Sequence, residues 1–171
     1  PKSVGNGYTF PQNLRGREEV RAGIAQLADQ VAARLRKCGM KCQGISLSIR
    51  DPGFRDLGRQ RQLDPPTDLS RELTRAAMEL AESCWNWDSP VRALTVTAIY
   101  LTPADQAGAQ MDLFDQGQRK KRERLEKLEG AVDRIRAKYG PGAISPASTP
   151  WDPGEERHAP PPGGGRTYDK E

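Results

Sequence analysis

The chain has 171 residues, 35% of them hydrophobic and 29% charged, with 17 Gly and 14 Pro, a composition that supports one modest core followed by polar sequence. No run approaches the roughly 18 apolar residues of a membrane span, and residues 1–10 lack the basic-then-apolar order of a secretory signal, so a soluble cytoplasmic protein is expected; without an initial Met it reads as a fragment. The net charge of +4 falls entirely on residues 1–103, while Cys38, Cys42 and Cys84 without a paired spacing and a lone His158 in a Pro-rich stretch exclude a disulfide framework, a four-ligand zinc site and histidine-based catalysis. The cysteines read as reduced, mostly buried thiols.

Residues 3–10 alternate as a strand does, with Val4, Tyr8 and Phe10 on one face and Ser3, Gly5, Gly7 and Thr9 on the other. Val20, Ile24, Leu27, Val31, Leu35 and Cys38 then recur at three- and four-residue spacing, which predicts a helix over 17–38 with Gly39 as its stop. In 44–50 the odd positions Ile45, Leu47 and Ile49 are apolar and the even positions Ser46, Ser48 and Arg50 polar, a strand covered on one side only. Asp51, Pro52 and Gly53 form a turn, and 54–63 a third strand segment with Arg55, Arg59 and Arg61. Its parity conflicts, since Leu57 and Leu63 share register with those arginines, and a bulge at Gly58 would resolve the conflict.

After Pro65 and Pro66, Asp68 is placed to cap a helix that runs through Leu69, Leu73, Ala76, Ala77, Leu80 and Cys84. In 91–101, Leu94, Val96, Ala98 and Tyr100 can point inward and Thr95 and Thr97 outward. The order strand, helix, strand, strand, helix, strand predicts an α+β two-layer sandwich over residues 1–103, a four-stranded sheet covered on one face by two helices. The bare face then carries Ser, Thr, Gly and Arg, residue types that bring hydroxyls, backbone N–H groups and guanidinium groups to phosphates. No aromatic is expected there, which argues against an RNA-stacking platform.

Downstream, 104–118 reads as a polar linker and 119–139 as a separate helix, whose Leu125, Leu128, Val132, Ile135 and Tyr139 form an apolar seam. Packing of that seam against another part of a longer protein is the favoured expectation, ahead of self-association or a separate partner. Residues 140–171 hold 13 Gly and Pro and are expected to be disordered, with Trp151 and Tyr168 as the aromatics available for docking.

Three segments, KSVGNGYTFPQNL at 2–14, FRDLGRQRQL at 54–63 and PVRALTVTAIYL at 90–101, resemble in order and spacing the little finger domain of Y-family DNA polymerases, in particular the bacterial DNA polymerase IV group. The resemblance covers residues 1–103. It implies a domain that grips duplex DNA by its phosphate backbone across the major groove during lesion bypass and repair. By position, Lys2, Ser3, Val4 and Gly5 approach one strand, Arg55, Gly58, Arg59, Gln60 and Arg61 the other, and Arg92, Thr95 and Thr97 add contacts from the last strand. QMDLF, formed by Gln110, Met111, Asp112, Leu113 and Phe114, matches the QxxLF pattern by which bacterial polymerases bind the sliding clamp, its Leu and Phe suited to an apolar pocket.

The full-length polymerase this chain resembles requires Mg²⁺ held by acidic side chains of a palm domain. No catalytic residue, metal site or cofactor is expected within the chain itself, which should be inactive alone. The alternative is a non-catalytic interaction module acting through the 119–139 helix.

Overall fold

The computed structural model describes residues 2–107 and 116–145. Its elements run β1 (Ser3–Leu14), α1 (Gly16–Lys37), β2 (Met40–Arg50), β3 (Asp56–Thr67), α2 (Ser70–Cys84), β4 (Val91–Pro103) and α3 (Gln116–Tyr139). The four strands form one antiparallel sheet in the order β1-β4-β2-β3. The expected two-layer α+β architecture is therefore present, with β1 and β3 as its edges.

The core lies between the sheet and the α1/α2 layer because each element has one apolar side to bury. Ile45, Leu47 and Ile49 of β2 and Leu94, Val96 and Ala98 of β4 meet Ile24, Val31 and Leu35 of α1 and Leu73 and Ala77 of α2, all of them essentially inaccessible to solvent. Burying a Val, Leu or Ile side chain contributes about 1.5–3 kcal/mol, so this shared face is the main source of stability. Gly39, at φ 64°, ends α1 as expected. No helix among the described residues is long and apolar enough to cross a membrane.

Several local expectations are corrected. Tyr100 does not continue the inward row of β4: it adopts φ 55°, is 52% exposed, and leaves Leu101 to pack against the core. Its ring covers Gly44, where a Cβ would lie 2.7 Å from Tyr100 Cδ2. Tyr8 keeps the face it shares with Val4 and Phe10, in register with Leu94, and packs edge-on to Phe10 at 5.2 Å, but it remains 41% exposed. There is no bulge at Gly58; β2 and β3 stay in continuous register from Gly44↔Gln62 to Arg50↔Asp56, and the irregularity lies between Cys42 and Gly44. Cys38 is exposed, whereas Cys42 is buried and donates to Thr67 O at 3.3 Å; burial pushes its thiol up to about 12.

The helix α3 starts at Gln116 and lies on its own domain through a polar stripe. Arg122 donates to Pro66 O at 2.7 Å and Glu72 at 3.1 Å, Glu126 accepts from Lys41 at 2.7 Å, and Arg136 donates to Asp29 at 2.7 Å. Asp133 accepts from Arg36 Nε at 2.6 Å and Nη2 at 3.0 Å, while Glu129 also engages Arg36 and accepts from the Ser70 N–H and hydroxyl. These side chains recur at four- and three-residue spacing, so they share one face of the helix. The apolar seam is thereby split: Leu125 and Val132 are half-buried, but Leu128, Ile135 and Tyr139 remain exposed. Charge matching to α1, β2 and the start of α2 holds the helix here, and the exposed part of the seam is left facing away from these contacts.

Residues 140–145, expected to begin the disordered tail, form a turn instead: Gly140 has φ 101° and Ile144 O accepts from Arg136. Trp151 and Tyr168 lie outside the described residues.

Candidate nucleic-acid interface

Four rows cross the face of the sheet that the helices leave bare: Ser3, Ile99, Gly44 and Gln62; Gly5, Thr97, Ser46 and Gln60; Gly7, Thr95, Ser48 and Gly58; Thr9, Ala93, Arg50 and Asp56. Period two puts them there, because their sequence neighbours Leu47, Ile49, Leu94 and Val96 are buried on the other side. A Cβ at Gly5 would lie 2.8 Å from Thr97 Oγ1, and one at Gly7 2.5 Å from Thr95 Oγ1. Both threonines lean over glycines that have no room for a side chain. From the Gly5 row to the Arg50 row the floor is consequently low and polar, while Ile99 and the Tyr100 ring, an aromatic not expected on this face, cover Gly44 beyond it; a concavity of about 200 Å³ opens on the polar part, lined by Gly7, Thr9, Ser48, Arg50, Asp56 and Thr95 among others.

The residues singled out from the sequence divide between the two rims and the floor. Lys2, Ser3, Val4 and Gly5 belong to the β1 rim, Gly58, Arg59, Gln60 and Arg61 to the β3 rim, with Arg55 just before it. Thr95, Thr97, Gly58 and Gln60 lie on the bare face. Val4 packs against the core, so it offers a ligand only its backbone.

Arg59 and Arg61 pair in register with Leu47 and Ile45, so they leave β3 on the helix side; the parity conflict of this strand is settled by the arginines sharing the face of Leu57, without a bulge at Gly58. Arg61 engages Glu79 of α2, Arg59 donates to Gly58 O at 2.9 Å, and Arg92 to Pro11 O at 3.4 Å. Gln110, Met111, Asp112, Leu113 and Phe114 lie outside the described residues.

Arg50 is the basic side chain that sequence reasoning passed over. Its signal was the polar even register of 44–50, visible in the sequence but not tied to a partner. Arg50 Nε and Nη2 donate to the two oxygens of Asp56 at 2.7 and 2.8 Å. Those bonds hold the Asp56 carboxyl below the usual carboxylate range. Asp51 is likewise lowered, first by the Arg55 N–H at 3.0 Å and then by the Arg55 side chain at 2.9 Å. With both carboxylates turned onto arginines, Asp51 and Asp56 do not fit a two-metal centre, which needs carboxylates converging on the ions.

Residues 1–113 match the family described as the impB/mucB/samB family C-terminal domain. The chain belongs to this family. DNA polymerase IV of Acetivibrio thermocellus is 38% identical over 139 residues, covering 81% of this chain and 34% of the relative. DNA polymerase IV of Moorella thermoacetica is 34% identical over 143 residues, 84% of this chain and 34% of the relative, and that of Dehalococcoides mccartyi 30% identical over 149 residues, 86% and 36%. The chain thus matches the C-terminal region of Y-family polymerases and spans about a third of the length of these relatives. The family's C-terminal domain accounts for both rims and the bare face of the sheet; α3 lies beyond the matched span.

Proposed function

We propose that residues 1–103 act as a little finger, gripping duplex DNA by its phosphates within a translesion DNA polymerase. The observation that carries this reading is the separation of the candidate contacts onto the two edges of a sheet whose centre is small and polar. With strands about 4.8 Å apart, β1 and β3 are separated by roughly 14 Å, close to the width of the B-DNA major groove at about 12 Å. The low floor can face the groove while each rim meets one phosphate chain. Unpaired backbone N–H groups of both edge strands, together with Lys2, Arg55, Arg59 and Arg61, supply the donors. Such contacts position a protein without reading sequence.

Clamp tethering through residues 110–114 belongs to the same proposal and is supported by the QMDLF pattern alone. Catalysis by the whole protein, with its Mg²⁺, is proposed from the polymerase relatives.

The test is a titration of labelled duplex DNA at several salt concentrations. If three or four phosphates are neutralised, log affinity should fall against log salt with a slope of roughly −3 to −4, at about −0.9 per phosphate. The double variant Arg59→Ala and Arg61→Ala should flatten the slope by nearly two. An unchanged slope removes both from the interface. A protein-interaction module acting through the exposed Leu128, Ile135 and Tyr139 of α3 would show no DNA binding.

A further inference from the structure

We propose that Arg50 is a phosphate-binding residue at the β2–β3 hairpin end of the bare face, with Asp56 occupying its guanidinium until a DNA phosphodiester replaces it. This rests on the DNA-binding reading above and adds to it a contact on the floor of the sheet, between the two rims. Of the side chains in the four rows that cross this face, Arg50 is the only cation. Arg59 and Arg61 project on the helix side, and Arg55 lies in the hairpin with Asp51.

The geometry of the Arg50 and Asp56 pair is that of a guanidinium presenting two parallel N–H donors to two oxygens, 2.7 and 2.8 Å long. A phosphodiester offers the same pair of acceptors to the same fork. Both side chains are about half exposed, and an ion pair in contact with water contributes little and exchanges readily. Asp56 therefore keeps Arg50 oriented without competing strongly against a polyanion.

The surroundings suit an entering phosphate. Thr9, Ser48 and Thr95 line the same concavity, and their hydroxyls can donate to the remaining oxygens. Gly7, in the row beside Arg50, has no Cβ to hold a sugar-phosphate chain away. The concavity exceeds the size of a phosphate group and opens onto solvent on the side where the duplex would lie. A purely structural cross-strand pair would need neither the hydroxyls nor the adjoining space.

The full chain, titrated with a fluorescein-labelled duplex over a range of salt, tests this through variants with opposite expected signs. Arg50→Gln should weaken binding and reduce the magnitude of the salt slope by about one. Arg50→Lys, which keeps the charge and loses the fork, should retain the slope and bind with intermediate affinity. Asp56→Asn should tighten binding several-fold, and by more than Glu18→Gln, which removes a more exposed carboxylate from α1 in the opposite layer. A structural role would make Arg50→Gln and Asp56→Asn act in the same direction, visible as parallel losses in melting temperature. Wild-type binding with an unchanged Arg50→Gln slope, or Asp56→Asn no tighter than Glu18→Gln, overturns the inference alone. Failure of the wild type to bind duplex overturns the DNA-binding reading and this inference with it.

Discussion

Replacing Glu129 tests whether α3 is a structural part of the domain. The helix α2 begins at Ser70 after Leu69, which makes no side-chain capping bond, and Asp68, the cap expected from the sequence, is buried with its Oδ1 unpartnered. The missing acceptor comes from α3: both Glu129 oxygens lie 3.0 Å from the Ser70 N–H, and one accepts the Ser70 hydroxyl at 2.9 Å. Loss of a helix N-cap costs about 1 kcal/mol, and leaving a buried donor unsatisfied about 1–3 kcal/mol. Glu129→Ala, which strands Ser70 and removes one partner of Arg36, should therefore cost about 2–3 kcal/mol.

Glu129→Gln should cost less than about 1 kcal/mol, because the amide oxygen still accepts from Ser70 and Arg36 keeps its two bonds to Asp133. Burial pushes the Glu129 carboxyl above its ordinary 4.5, against the opposing pull of Ser70 and Arg36. A carboxyl raised in the folded state binds more protons there than in the unfolded chain, so this group's contribution to stability rises as pH falls from above the raised value towards 4.5. The Gln variant lacks that rise. Thermal melts at neutral and mildly acidic pH, with hydrogen exchange at the Ser70 amide, measure both effects; for a chain of this size about 2–4 °C is expected per kcal/mol. Equal melting temperatures for the Ala and Gln variants, or unchanged Ser70 exchange in the Ala variant, would refute the capping role.

Gly7→Ala should destabilise by about 1–3 kcal/mol through overpacking against Thr95 Oγ1, 2.5 Å from the new Cβ, and denaturant melts should show much of that cost relieved in a Thr95→Ala background. A peptide spanning residues 109–115 should bind the bacterial sliding clamp with micromolar affinity, since burying Leu113 and Phe114 gains about 1.5–3 kcal/mol each and ordering the segment offsets much of it. Calorimetry with Phe114→Ala should lose most of the heat, and equal heats would make the QMDLF match accidental. The isolated chain should extend no primer, because no carboxylate pair described here is free to hold two metals; extension by a sample free of contaminating polymerase would contradict this.

The alternation of Ile45, Leu47 and Ile49 with Ser46, Ser48 and Arg50 determined by itself which face of β2 is buried, because a strand covered on one side admits only one register of apolar side chains. The same holds for Leu94, Val96 and Ala98, and for the stripes of α1 and α2. The two contact segments, 2–5 and 55–61, came from the family resemblance, their place on the two edges came from the fold, and the direction of Arg59 and Arg61 was left open. On an edge strand, a long side chain with an apolar stem and a charged tip satisfies either face, so hydrophobicity does not choose. Tyr100 escaped for a related reason: a left-handed residue in mid-strand interrupts the alternation, and a bulky side chain gives no sign of it.

Only the tertiary structure decided where α3 rests. Its seam of Leu125, Leu128, Val132, Ile135 and Tyr139 is visible in the sequence, yet the contacts that hold it are Glu126 to Lys41, Glu129 to Ser70, and Asp133 to Arg36, 97 residues away in the chain. Apolar periodicity is a property of a single segment and can be read locally. Charge pairing depends on which side chains the fold brings within hydrogen-bond reach, and that distance exists only once the chain has folded.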